Sequence, residues 1–268
     1  MTVLGAVAYD PKVVTIWDGF RRYFGKHDLD LDYVLYSHYE RQVEDLVSGR
    51  IDVAWNSPLA WIRTSRLAPS ARAVAMRDSD RDLTSVVVVR ADSPATAVAD
   101  LAGHVVGTGA VDSPQATLLP LQLLHRVPVE VRRFEIGVGL HGDHIGGERA
   151  AAEALRAGEV DAACMIDANH LLFAREGLLP AGSTRVIAQT PPYDHCNMSV
   201  VDGDVERFVA VLLAMDYADP SVRPLLDLEG LKHWLPGRTE GYAQLDAAVD
   251  TADFYGPKGE VTAAGYRP

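Results

Sequence analysis

Apolar and polar positions along this chain switch repeatedly between a two-residue and a helical period. Val3–Ala8 is a short apolar run ended by Tyr9, Asp10 and Pro11, which predicts a strand. Val13–Phe24 then sets Val14, Ile16, Trp17, Phe20 and Phe24 at helical spacing and stops at Gly25. Leu31–Tyr36 alternates as a second strand, and Tyr39–Ser48 turns Val43 and Leu46 inward as a helix. Ile51–Trp55 is a third strand, and Asn56-Ser57-Pro58 opens the next helix with proline in its first turn. This β-α-β-α-β-α order predicts a parallel sheet with right-handed crossovers.

Further along, Ala73–Met76 and the β-branched Leu83–Arg90 read as strands, and Ala99–Leu101 as a short helix. Val105–Thr108 is a strand, followed by a helix start at Asp112–Thr117. Val131–Ile136 precedes the Gly-rich stretch Gly137–Gly147, an alanine-rich helix Glu148–Ala157 and a buried strand Val160–Ile166. Asn169–Arg175 is helical and Thr184–Ala188 a strand. In TPPYDHCNMSVV, Thr190–Val201, two prolines force an extended approach to one more strand. GRIDVAWNSP at Gly49–Pro58 is echoed by GEVDAACMID at Gly158–Asp167, which suggests two α/β units. The expected organisation is an α/β protein of two lobes, with two mostly parallel sheets joined by crossover strands near Ser85–Arg90 and Cys196–Val201. Lobe 1 would comprise residues 1–88 and 196–268, and lobe 2 residues 89–195. Phe208–Tyr217 and Leu225–Trp234 would be helices packed on lobe 1, and Thr251–Pro268 an irregular tail.

With 268 residues the chain can bury a large core. A net charge of -12 argues against a general nucleic-acid or anionic-membrane surface, although a pocket's local field can oppose it. Cys164 and Cys196 are the two cysteines, without CxxC spacing, so a disulfide framework or zinc ribbon is excluded. No apolar run reaches the roughly 20 residues of a membrane span. MTVLGAVAYDP lacks a basic n-region and an apolar h-region. As it stands the chain reads as cytoplasmic; removal of a leader would make it periplasmic or extracellular.

Ligands of open α/β sheets bind outside the carboxyl ends of the strands. The residues there are Tyr9, His38, Tyr39, Asn56, Ser57, Thr108, Ser113, Gln115, Thr117, Asp143, Asp167, Tyr193 and His195, and all are candidates for contact with a ligand. His38-Tyr39, Ser57-Pro58 and Ser113–Thr117 are helix starts, whose free N–H groups favour an anion. Taken singly, Ser57 and Ser113 are ordinary N-caps; three such starts on one cleft point to anion binding. His38, His144 and His195 could hold zinc or another transition metal, with Asp143, Asp194 or Cys196 completing the set. Should the chain be an enzyme, His195, Asp194 and His144 are the acid–base candidates. Alternation along a strand would point Cys196 away from His195. Trp55 and Cys164 read as core, and the charge run Arg77–Asp82 as a solvated loop. There is no GxxxxGK[ST] or GxSxG.

VEDLVSGRIDVAWNSP at Val43–Pro58, SVVVVRADSP at Ser85–Pro94, DSPQATLLP within Leu101–Pro120, and Glu153–Asp167 together resemble the phosphate/phosphonate-type solute-binding proteins of ABC importers. The resemblance runs from about Val3 to Trp234. It implies the two-lobed type II periplasmic-binding-protein fold and a small anionic ligand of the phosphonate, phosphate or carboxylate class, held in the cleft between the lobes. It implies an ABC permease as partner if the protein is exported. The alternative is a cytoplasmic lyase- or hydrolase-like enzyme on the same scaffold, with or without a metal.

Overall fold

Phe20, Phe24 and Trp234, all buried, lie on one face of a sheet whose other face carries Val7, Leu46 and Ile51. In a computed structural model the described residues are 1–8, 10–135, 145–264 and 266. The chain begins with β1 (Thr2–Val7), α1 (Lys12–Gly25), β2 (Leu31–Tyr36), α2 (Tyr39–Val47), β3 (Val53–Asn56), α3 (Pro58–Leu67) and β4 (Arg72–Arg77). It continues with β5 (Ser85–Arg90), β6 (Val105–Thr108), a π turn at Pro114–Leu118 leading into α4 (Leu119–Leu123), β7 (Glu130–Arg133), α5 (Ile145–Ala157), β8 (Ala162–Ile166), α6 (Asp167–Arg175) and β9 (Thr184–Gln189). It returns through β10 (Asn197–Val200), α7 (Glu206–Leu213), α8 (Arg223–Glu229), β11 (Trp234–Pro236) and α9 (Ala243–Thr251).

Among the described residues two sheets form, in the orders β11-β4-β10-β3-β1-β2 and β7-β6-β8-β5-β9. The expected two-lobed α/β architecture is present. The sheets are mixed, not mostly parallel as expected. β1 pairs parallel with β2 and β3, but β10 is antiparallel to β3 and β4. In the second sheet β6 is parallel to β7 and β8, and β5 antiparallel to β8 and β9. Each crossover strand enters its new sheet against the direction of its neighbours, which a βαβ pattern does not reveal. β5 lies in the second sheet from Ser85 onward, so a division by sheet membership falls between Arg77 and Ser85.

Helix α1 buries Val13, Ile16, Trp17, Phe20 and Phe24, while Val14 is exposed, so the inward stripe starts one residue earlier than expected. α8 ends at Glu229 because Gly230 takes a left-handed cap at φ 81. Trp234 therefore starts a strand instead of closing a helix, and it packs edge-on against Trp55. The described residues after α9 form no helix or named strand, as expected, yet they are packed: Phe254 and Tyr255, with Leu245 and Val249 of α9, are buried with Leu59 and Trp61 of α3 and with Leu118 and Leu119 of the second lobe. This apolar cluster binds the lobes together beside the crossings. No helix among the described residues is long and apolar enough to cross a membrane.

Candidate functional site

On the first-lobe side β3 ends at Asn56, which is fully buried. Its oxygen accepts from Gln42 Nε2 at 2.8 Å, and its Nδ2 donates to Ser199 Oγ at 2.9 Å and Thr64 Oγ1 at 3.2 Å. Those bonds make the side chain a brace between β3, α2, α3 and β10. Ser57 caps α3, its Oγ accepting from Ala60 N–H at 3.2 Å, and it is half-buried, its own hydroxyl donating to no acceptor among the described residues. His38, in extended conformation, precedes α2, and it and Tyr39 are half-buried. Glu40 in the same first turn is buried and accepts hydrogen bonds from Tyr266 at 2.7 Å and Tyr255 at 3.3 Å. The residues after α9 thus reach the edge of the site.

On the second-lobe side, Thr108 Oγ1 donates to Gly109 O at 3.2 Å, and Ser113 Oγ accepts from Ala116 N–H at 3.1 Å. Both side chains serve the loop itself. The next turn differs. Thr117 Oγ1, Gln115 Oε1, Asp112 Oδ1 and Glu148 Oε1 are buried and have no hydrogen-bond partner among the described residues. α5 brings Glu148 here because Gly147 lies flush on the loop: a Cβ there would stand 2.6 Å from Phe134 O and 3.3 Å from Gly109 Cα. The other Glu148 oxygen accepts from Ile166 N–H at 3.0 Å and Asn169 Nδ2 at 2.8 Å, and Gln115 approaches the same carboxyl. Burial outweighs these donors and pushes Glu148 up to about 7. Burial likewise pushes Asp112 up to about 6, and the Glu40 charge from the opposite lobe adds to it. Asp112 and Glu40 are thus within electrostatic reach of one another.

The crossings pair directly. Leu83 and Tyr193 exchange two backbone hydrogen bonds of 2.8 Å, and His195 N–H donates to Asp80 O at 2.8 Å. Tyr193, expected at a pocket wall, is 1% exposed with its hydroxyl 2.8 Å from Ser85 Oγ, so it serves as a strut inside the hinge. Burial raises its phenol well above the usual range. Asp167 Oδ2 accepts from Thr84 Oγ1 at 2.7 Å and stands at the same junction. Asp194 is buried, and Arg238 donates to both its oxygens at 2.6 Å. Such a carboxylate is a structural counter-ion, which removes the sequence-based reason for making it a proton carrier.

His195 Nδ1 lies 3.2 Å from Cys196 Sγ and 3.4 Å from Asp80 Oδ1. The expected opposition of His195 and Cys196 fails because β10 begins only at Asn197, so the alternation of a strand does not yet apply. Asp80 also corrects the reading of Arg77–Asp82 as solvated. It is 2% exposed and gripped by Arg77, whose guanidinium stacks over Trp55 at 5.1 Å. Burial opposes charge on both His195 and Asp80. The Cys196 sulfur and Asp80 nevertheless raise His195 to about 10, while Arg77 and His195 hold Asp80 at about 2.

The structure therefore brings Gln115 to Glu148 and leaves Thr117 and Asp112 with buried unpartnered atoms on the same loop, which Thr108 and Ser113 shape. The Glu148 charge reaches both Tyr193 and His195 electrostatically. Asn56, Tyr193 and Asp194 are internal braces. Among the described residues the compact group of metal-ligand atoms is Asp80, His195 and Cys196, and His38 is not part of it. Tyr9, Asp143 and His144 lie outside the described residues. The burial of Glu148 and of Asp112 Oδ1 has no local signature, since a carboxylate at the start of a helix ordinarily reads as a solvated cap.

A family described as the phosphonate periplasmic substrate-binding proteins of ABC transporters matches residues 6–242. The chain is 22% identical over 237 residues to a probable ABC transporter phosphite binding protein, PhnD1, of Prochlorococcus marinus (strain MIT 9301), covering 82% of this chain and 77% of the relative. The structure of that PhnD1 in complex with methylphosphonate superposes with a TM-score of 0.66 at 18% identity, over 94% of this chain and 98% of the other. XAC2383 from Xanthomonas citri bound to ATP superposes with a TM-score of 0.71 at 18% identity, with the same coverages of 94% and 98%. At these identities the superpositions show the fold, and the family match extends over nearly the whole chain. The chain belongs to the phosphonate-type periplasmic substrate-binding protein family of ABC transporters.

Proposed function

We propose that the chain binds a phosphonate- or phosphate-class anion between the lobes, with the turn at Pro114–Leu118 as its principal donor. The observation that carries this is Thr117: its hydroxyl is buried, 1% exposed, with no partner among the described residues. A buried hydroxyl left without a partner costs about 1–3 kcal/mol, which a ligand oxygen would recover. The N–H groups of Ala116, Thr117 and Leu118 are held by Ser113, so the side chains carry the recognition, and Ser57 offers a hydroxyl from the facing lobe.

The nearby carboxyls narrow the chemistry. With Glu148 pushed up to about 7 and Asp112 to about 6, both are substantially protonated in mildly acidic solution. They can then donate to an anion; once ionised they accept from an anion that carries its own P–OH. Phosphonates and phosphate retain such a proton near neutrality, and sulfonates do not. The family and a relative whose structure holds methylphosphonate support the same ligand class. We infer that the chain delivers this ligand to an ABC permease outside the cytoplasm, as the family's description implies.

The test is titration calorimetry with phosphate, phosphite, methylphosphonate and sulfate. Saturable binding of a phosphorus oxyanion in preference to sulfate is expected. Absence of binding to all of them, or equal binding of sulfate, would overturn the reading.

A further inference from the structure

We propose that Asp80, His195 and Cys196 form a binding site at the hinge for a thiolate-seeking divalent cation of the zinc class. Their ligand atoms all lie within 4.8 Å of one another. In a tetrahedral zinc site with bonds of about 2.0–2.3 Å, neighbouring ligand atoms stand roughly 3.3–3.8 Å apart. His195 Nδ1 lies 3.2 Å from Cys196 Sγ and 3.4 Å from Asp80 Oδ1, and Asp80 and Cys196 lie within 4.8 Å of each other, so small side-chain adjustments seat the ion. A thiolate, an imidazole and a carboxylate together favour zinc over magnesium or calcium, which prefer oxygen alone.

The surroundings are those of a held site. Asp80 is 2% exposed, and Arg77 fixes its carboxylate while donating to Glu229 O at 2.7 Å. A carboxylate has about four acceptor positions, so Arg77 and a metal can share it. The His195 N–H to Asp80 O bond fixes the two backbones relative to each other. The His195 side chain is 21% exposed, which leaves a path for entry and room for water as a fourth ligand. Zinc takes a thiolate and a neutral imidazole as ligands, so binding releases protons and strengthens as pH rises. Asp80 belongs to the first crossing and His195 with Cys196 to the second, so the ion would pin the crossings to each other. None of the three ligands belongs to the turn at Pro114–Leu118 on which the anion proposal rests.

The test uses the full chain freed of metal by a chelator and titrated with cobalt(II). One equivalent should bind and give a thiolate-to-cobalt charge-transfer band in the near ultraviolet, which zinc then displaces. Cys196→Ser should abolish the band, and Cys196→Ser and His195→Gln should each weaken zinc binding by more than the roughly 10–100-fold typical of losing an outer-shell partner. Cys164→Ser, a change inside β8, should leave band and affinity as they were, and melting in chelator reports whether each variant folds. Absence of a thiolate band, or zinc affinity unchanged in Cys196→Ser, would overturn the proposal, and failure of phosphonate binding would leave it standing.

Discussion

Arg238 closes on Asp194 with two hydrogen bonds of 2.6 Å, one to each carboxylate oxygen, and thereby fastens the residues after β11 to the second crossing. Arg238 Nη2 also reaches Asp82 on the first crossing at 2.7 Å. One guanidinium thus joins both connections between the lobes.

Arg238→Met keeps most of the side chain's volume and leaves Asp194 charged and buried. Loss of one partner of a buried pair costs about 3–5 kcal/mol. Arg238 is one-third exposed, so solvent screening reduces this to roughly 2 kcal/mol. Urea unfolding should show that loss. The double variant Asp194→Asn/Arg238→Met should recover part of it, because the stranded charge is gone. Equal stability of Arg238→Met and the unaltered protein would contradict the counter-ion role of Arg238.

Glu148 makes stability depend on pH. Its folded value, about 7, lies above the unfolded reference of 4.5, so the folded state holds the proton more tightly. Its contribution is fully present below pH 4.5 and is lost as pH rises through 7. At about 1.4 kcal/mol for each unit, the full loss is on the order of 3 kcal/mol. Glu148→Gln should therefore raise the melting temperature relative to the unaltered protein at pH 8 far more than at pH 4. A gain independent of pH would show that the carboxyl is not held neutral.

Asn56 separates bracing from binding. Asn56→Ala should cost on the order of 3 kcal/mol, since it strands Gln42, Thr64 and Ser199 inside the core. Phosphonate affinity, measured well below the melting range, should not change. A loss of affinity without loss of stability would return Asn56 to the ligand.

Much of the scaffold was legible because periodicity survives burial: Leu31–Tyr36 and Val105–Thr108 appear with the expected bounds. The proline-containing helix starts at Ser57 and Ser113 were legible through their caps. What escaped depends on contacts distant along the chain. Asp80 looks solvated in RDSDRD until Arg77, His195 and the second crossing close over it. Tyr193 and Asn56 stand at strand ends, like ligand contacts, yet Ser85 in one case and Gln42, Thr64 and Ser199 in the other claim their polar atoms. Trp234 was lost to a helical period because the stop at Gly230 falls within a run that still looks helical. Glu148 gave no local signal, because its burial comes from the approach of Gly147 to the loop after β6.

Anion recognition by the turn after β6 is tested most directly by comparing methylphosphonate binding to the unaltered protein and to Thr117→Val by titration calorimetry. Valine keeps the shape and removes the hydroxyl. A hydrogen bond to a charged group contributes about 1.5–3 kcal/mol, so affinity should fall at least about tenfold while the melting temperature without ligand holds or rises. Equal affinity in the two proteins would contradict the assignment of this turn as the anion's donor.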